Sequence, residues 1–259
     1  MGEFAAAQKD GHLLTVTINR PDVMNAVHPP ANFELATIFD DFAADDDLWV
    51  AIITGAGERA FCAGNDLKYQ AGGGKMSTPP SGFGGLTSRY DLDKPVIAAV
   101  NGVAMGGGFE IALACDLLIA AENATFALPE PRVGLAALAG GLHRLPRQIG
   151  LKQAMGMILT GRHVSAQEGK TLGFVNEVAP AGGSVEAAKK WAAQIMECSP
   201  MSIRASKQAV SVGLTAHGVE DATEEQRAYP AVAAMFASAD FKEGPLAFAQ
   251  KRKPNWTGK

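Results

Sequence analysis

KPVIAAVNGVAMGGGFEIALACDLLIAAE, residues 94–122, places two short apolar runs on either side of a glycine cluster and a helix-prone segment. The runs PVIAAVNG (95–102) and LLIAAE (117–122) show no polar alternation, as expected for strands buried on both faces. FEIALACD (109–116) reads as the helix between them, and the short TFAL (125–128) follows as another strand-like run. Toward the N-terminus the same rhythm recurs in LLTVTIN (13–19), an amphipathic stretch over 32–44 and VAIITG (50–55). Toward the C-terminus strand signals fade from Ser184, and Ala-rich stretches predict helices over 185–198, 201–213, 218–237 and 241–251. The chain is therefore read as α/β, with a core over residues 1–183 and a helical region over 184–259. AGGGKMSTPPSGFGGL (71–86), dense in Gly and Pro, reads as a mobile surface loop, a substrate-admitting lid and simple disorder being its two interpretations.

The totals narrow the function classes. With 259 residues, 47% apolar and 19% charged, the chain can bury one large core and is not of disordered composition. Lys plus Arg number 23 against 27 for Asp plus Glu, so no general field for nucleic acid exists and a local patch would be needed. Charged residues or Pro interrupt every apolar run, which argues against a membrane span. The start MGEFAAAQKDGHLL lacks the basic end and apolar stretch of a secretion signal. A cytoplasmic protein is expected. Cys62, Cys115 and Cys198 lack the paired spacing of a metal site and read as reduced structural thiols.

Two motif matches fail on chemistry. Gly72-Gly73-Gly74-Lys75 resembles the end of a phosphate loop, but Met76 stands where a Ser or Thr must hold magnesium. Gly102, Gly106, Gly107 and Gly108 follow a strand without the dinucleotide spacing. What those glycines do provide is a strand-to-helix junction with bare backbone N–H groups and a helix N-terminus, suited to an oxyanion. A tight packing turn is the alternative. A second such turn follows VAIITG, where Ala63-Gly64-Asn65-Asp66 opens a helix with Asp66 as a candidate cap. Two amide-bearing turns of this kind could form an oxyanion hole, in which each donor contributes about 2.7–4 kcal/mol. Two carboxylates lie near this construction. Glu110 sits in FEIALAC, where it could simply complement the helix dipole, and Glu130 sits between two prolines in ALPEPRV, where it could pair with Arg132.

The whole chain resembles the crotonase (enoyl-CoA hydratase/isomerase) family. The resemblance is carried by INRPDVMNA (18–26), RAFCAGNDLK (59–68), KPVIAAVNGVAMGGGFEIALACD (94–116), ATFALPEPRVGL (124–135), GGLHRLPRQIG (140–150) and LTGRHVSAQEGKTLGFVNEV (159–178). It is closest to the crotonobetainyl-CoA (carnitinyl-CoA) hydratases and short-chain enoyl-CoA hydratases, helped by FKEGPLAFAQKRKPNW near the end.

The resemblance implies a spiral of repeated ββα units with a C-terminal helical region that forms trimers, often doubled to hexamers. It implies hydration of a 2-enoyl-CoA to a 3-hydroxyacyl-CoA, or the reverse, with no cofactor beyond the CoA of the substrate. The oxyanion amides fall on Asn65 and Gly107. The catalytic pair falls on Glu110, which activates water, and Glu130, which protonates the α-carbon. CoA is expected along Met24, Ala26, Ala63, Asp66, Leu67 and Lys68, with Lys251 reaching its phosphates from a neighbouring subunit. For both lysines an ordinary solvated charge is the alternative. Val232 stands where relatives often carry an aromatic near the adenine, and Ala137 where they usually carry Pro. GLAALAGG (134–141) contains no acid to favour a trimethylammonium acyl group, so a plain apolar or aromatic one is favoured. His143 reads as a helix-end or surface histidine rather than a third catalytic group. The competing readings are an isomerase or a thioester or C–C hydrolase on the same scaffold, and a non-catalytic binding relative.

Overall fold

The structure, a computed structural model, describes residues 2–259. A six-stranded sheet runs in the order β1 (Ala5–Asp10), β2 (Leu13–Ile18), β3 (Val50–Gly55), β5 (Val96–Val100), β7 (Leu117–Ala121) and β10 (Glu177–Ala179). A smaller sheet orders β4 (Ala60–Cys62), β6 (Val103–Met105), β8 (Thr125–Ala127) and β9 (Val164–Ser165). Within these two sheets the β1–β2 and β8–β9 pairings are antiparallel and the other described pairings parallel. Three successive passages repeat one path, from a strand of the large sheet to a short strand of the small one and then into a helical turn. β3 leads to β4 and α2 (Leu67–Ala71), β5 to β6 and α3 (Gly107–Ala114), and β7 to β8 and a 3-10 turn at Glu130–Val133. This is the expected ββα spiral.

The apolar runs without alternation are explained by the two faces they serve, because successive strand side chains point to opposite sides. Val50, Ile52, Ile97, Ala99 and Ile119 pack on Ala187, Ala188 and Ala192 of α7 (Ser184–Met196). The small alanines let the helix lie close on the sheet. Ala51, Ile53, Ala98, Val100 and Leu118 point the other way, into the main core with Leu35, Phe39 and Phe42 of α1 (Pro29–Ala44) and Phe109 of α3. Each large side chain fully buried in this way contributes on the order of 2–3 kcal/mol. α4 (Gly141–Ile149), α5 (Leu151–Thr160) and α6 (Ala166–Leu172) follow the third passage. The chain ends in α8 (Pro200–Gly213), α9 (Val219–Glu225), α10 (Pro230–Ala237) and α11 (Ala239–Ala249), with α10 and α11 packed on α8.

Two expectations need correction. The helix expected over 218–237 is broken after a 3-10 turn at Gln226–Ala228, because Pro230 starts a new helix and holds Tyr229 extended. The segment 71–86 is not a surface loop throughout. Its first half is mostly exposed, but Gly82 to Thr87 is buried, with Gly84 N–H donating to Asn32 Oδ1 of α1 at 2.7 Å and Phe83 N–H to Thr87 Oγ1 at 2.8 Å. Among the described residues no helix is long and apolar enough to cross a membrane. Cys62 and Cys115 are buried in the core or partly so, and Cys198 is exposed; all three are unpaired.

Candidate active site

β4, β6 and β8 lie side by side and parallel, so the three turns that follow them open at one edge of the small sheet. Neighbouring strands stand about 4.8 Å apart, so three adjacent C-terminal ends span only ~10 Å. The turn after β4 carries Asn65, the turn after β6 carries Gly107 and Glu110, and the turn after β8 carries Glu130. The carboxyl ends of parallel strands are where open α/β sheets hold ligands.

The first two turns meet at glycine. Gly64 has φ +92°, and a Cβ placed on it would sit 2.7 Å from Met105 O and 3.1 Å from Gly107 N, so only a bare backbone lets the turns approach. Among the described residues neither the Asn65 nor the Gly107 N–H has an acceptor outside the helices. Val27 bridges the Asn65 turn through Gly64 O and Asp66 N, which directs the N–H of Asn65 away from Val27. Gly107 is the first residue of α3, where an intrahelical acceptor is lacking by construction. The ring of Phe83 covers this point, 2.5 Å from where a Gly107 Cβ would be.

Glu110, 3% exposed, is the fourth residue of α3, and its Oε1 accepts from Gly141 N–H at the start of α4 at 2.8 Å. Burial, reinforced by the charge of Glu130, pushes its pKa up to about 7 against the opposing pull of the Gly141 and Ala139 amides and of Arg144. Glu130 is raised too, again by burial. Its Oε2 is buried without a protein partner. Its Oε1 lies 2.8 Å from where a Cβ on Gly106 would be, so Gly106, at φ +53°, leaves room for this carboxylate beside the Gly107 turn. A pair of unspent amides thus stands with two carboxyl groups that resist ionisation.

The residues expected along CoA divide into two groups. Met24, Ala26, Ala63 and Asp66 are joined: Ala63 N–H donates to Met24 O at 3.0 Å, and Arg20 Nη1 bonds both Ala26 O and, at 2.9 Å, Asp66 Oδ2. Asp66 also caps α2, accepting from Tyr69 N–H at 3.0 Å, so its side chain serves the turn itself. Leu67 and Lys68 follow on α2 and are exposed. Lys251 lies past α11, and among the described residues no hydrogen bond or ion pair joins it to these turns. Val232 is buried within the chain at 8% exposure. His143 is exposed, whereas its neighbour Arg144 turns back toward Thr87 and Glu110. Sequence reading passed over Arg144 and Phe83. A signal for the first was a cation in the first turn of a helix, the wrong sign for the dipole. Among the described residues no cluster of His, Cys, Asp and Glu could hold a metal ion, and burial pushes the Cys62 thiol up to about 12.

The geometry is matched by similarity to known proteins. The family model described as enoyl-CoA hydratase/isomerase matches residues 8–259. The carnitinyl-CoA dehydratase of Escherichia coli strain K12 is 42% identical over 100% of both chains. The crystal structure of an enoyl-CoA hydratase from Mycobacterium tuberculosis H37Rv superposes with a TM-score of 0.93 at 37% identity, and that of a carnitinyl-CoA hydratase from Mycobacterium avium with 0.78 at 40%, each over 100% of both chains. The chain belongs to the enoyl-CoA hydratase/isomerase family and is an enzyme of its hydratase type.

Proposed function

We propose that the chain hydrates a 2-enoyl-CoA to the 3-hydroxyacyl-CoA, and runs the reverse dehydration, through an enolate held by the amides of Asn65 and Gly107. The observation that carries this reading is the meeting of two unspent backbone donors with the buried Glu110 carboxyl and the half-buried Glu130 carboxyl at the ends of three adjacent strands. The thioester oxygen accepts from both amides. Water oxygen bonds to C3 while the C2–C3 π electrons move toward the carbonyl. Glu110 takes a proton from that water, and Glu130 delivers one to C2. Dehydration retraces these steps: Glu130 takes the C2 proton and Glu110 protonates the departing hydroxyl. The two directions use the two placements of one proton on a coupled pair, so they share one pH window. Burial raises both carboxyls, so the pair keeps a proton closer to neutral pH than ordinary carboxyl groups would. The chemistry is proton transfer and calls for no cofactor beyond the CoA carried by the substrate.

CoA lies along the joined turns of Met24, Ala26, Ala63 and Asp66, past Leu67, with Lys68 and a neighbouring subunit's Lys251 at its phosphates. The subunits assemble as a homotrimer or a pair of trimers, in the cytoplasm, with no nucleic-acid or membrane partner. A plain apolar acyl group fits the acid-free stretch over 134–141 and the cationic Arg144 beside it better than a cationic one. The 42% identity to a carnitinyl-CoA dehydratase supports the second reading, a carnitine-type acyl group.

Purified protein given crotonyl-CoA and crotonobetainyl-CoA decides both points through the loss of enoyl-thioester absorbance. Faster turnover of the first supports the apolar reading. Glu110→Gln and Glu130→Gln are each expected to lower kcat by about 10²–10⁴-fold. Wild-type turnover in either variant ends the two-carboxylate mechanism, and product analysis separates hydration from isomerisation or hydrolysis.

A further inference from the structure

One side chain joins the segment that covers Gly107 to the turn that holds Glu110. Arg144 lies in the first turn of α4, where its Nη2 donates to Thr87 O at 2.9 Å and its Nη1 to Ala139 O at 3.5 Å. Thr87 closes the buried segment whose Phe83 ring lies over Gly107. Ala139 leads into the Gly140–Gly141 turn whose Gly141 N–H holds Glu110 Oε1. The guanidinium carbon also stands 5.6 Å from the centre of the Tyr90 ring. Arg20 and Arg89 are each paired with an aspartate, at 2.9 and 2.8 Å. Among the described residues Arg144 has no carboxylate within ion-pair reach. Its charge is therefore left uncompensated by an ion pair, at a helix end that disfavours cations.

We propose that Arg144 is a positioning residue of the acid-base pair, clamping the Phe83–Thr87 wall to the turn that holds Glu110 and keeping a free positive charge beside that carboxyl. The charged groups acting on Glu110 are Glu130 from the 3-10 turn after β8 and Arg144 from α4. The first opposes ionisation of Glu110 and the second favours it. Arg144 thereby opposes, together with the Gly141 and Ala139 amides, the rise that burial and Glu130 impose on this acid. A guanidinium suits the task because its planar fork reaches two carbonyls at once, which a lysine ammonium at that distance does not.

This inference rests on Glu110 being an acid-base group, and its test reads the carboxyl directly. Glu110 is titrated by carbon NMR in protein labelled at the glutamate carboxyl, with Glu110→Gln as the assignment. In Arg144→Gln the Glu110 midpoint is expected to move upward by about one pH unit, with kcat reduced about tenfold or more by the loosened geometry. In Arg144→Lys the midpoint is expected to stay near the wild-type value while kcat falls with KM little changed. An unmoved midpoint in folded Arg144→Gln, or wild-type kcat in Arg144→Lys, overturns the proposal. If Arg144→Gln does not fold, the lysine variant decides. An active Glu110→Gln enzyme would instead remove the two-carboxylate mechanism, a result obtained without altering Arg144, so the two failures are told apart.

Discussion

Glu110 is a liability to the fold for the reason that makes it useful in the site. An unfolded chain releases this proton near the ordinary value of 4.5, whereas the folded protein keeps it to about 7. Between those values the folded state binds more protons, so the contribution to stability falls as pH rises through the window and stays low above about 7. At 1.36 kcal/mol per unit the difference is about 3 kcal/mol for this buried group. Glu110→Gln is therefore expected to be more stable than the natural protein by about that amount at pH 8, with the gain shrinking as pH falls toward 4.5. Denaturant unfolding at pH 8 and pH 5 measures it, and equal stability at pH 8 would mean that the carboxyl is solvated in the folded state. A lone acid inside FEIALAC draws notice to Glu110 in the sequence, where a complement to the helix dipole is its local reading and the acid-base role comes from the family resemblance. Arg144 shows only as a cation at a helix start, because its partner Thr87 lies 57 positions away and that contact leaves no trace in local spacing.

At the scale of elements, legibility followed length and burial. VAIITG, LLIAAE and the apolar middle of PVIAAVNG correspond to β3, β7 and β5 within a residue or two, since five or six buried positions leave a strong apolar signal. β4 and β6, three residues each, are too short to show a period, and they carry the turns that make the site. β1 was missed because AAAQKD holds no β-branched or aromatic residue, and pairing with β2 decides its state. The Gly- and Pro-rich segment misled because its buried half is held by Asn32 and Ala36 of α1, contacts that composition does not announce. Lys94 shows the same kind of hidden dependence. Its buried ammonium donates to Phe42 O at 2.9 Å and Asp45 O at 2.7 Å, closing the C-terminus of α1, and stands 5.3 Å from the centre of the Phe42 ring. Lys94→Met leaves those carbonyls without their donor and is expected to lower stability by about 2–3 kcal/mol. Denaturant titration checks this, and turnover of the folded fraction should persist, since Lys94 touches none of the three turns of the site.

The distribution of apolar surface over the whole molecule is uneven. Among the described residues, fourteen of the eighteen large apolar side chains that remain exposed lie from Val133 onward, including Leu138 at 80%, Leu214 at 79% and Phe248 at 88%. Scattered exposed hydrophobics are ordinary, but a concentration in the helical second half marks a surface that association would cover. In the proposed site Lys251 comes from a neighbouring subunit, and among the described residues no hydrogen bond or ion pair joins it to the turns over 24–68 of its own chain. Sedimentation equilibrium is expected to give three or six times the chain mass of 27.0 kDa. Aspartate at Leu246 and Phe248 together should produce smaller species with a raised KM for the CoA ester, because a lysine supplied from the next subunit leaves with it. Lys251→Ala should raise KM in the intact assembly and leave KM unchanged in the dissociated variant. A 27.0 kDa monomer with full turnover at micromolar concentration would show that one chain binds CoA unaided.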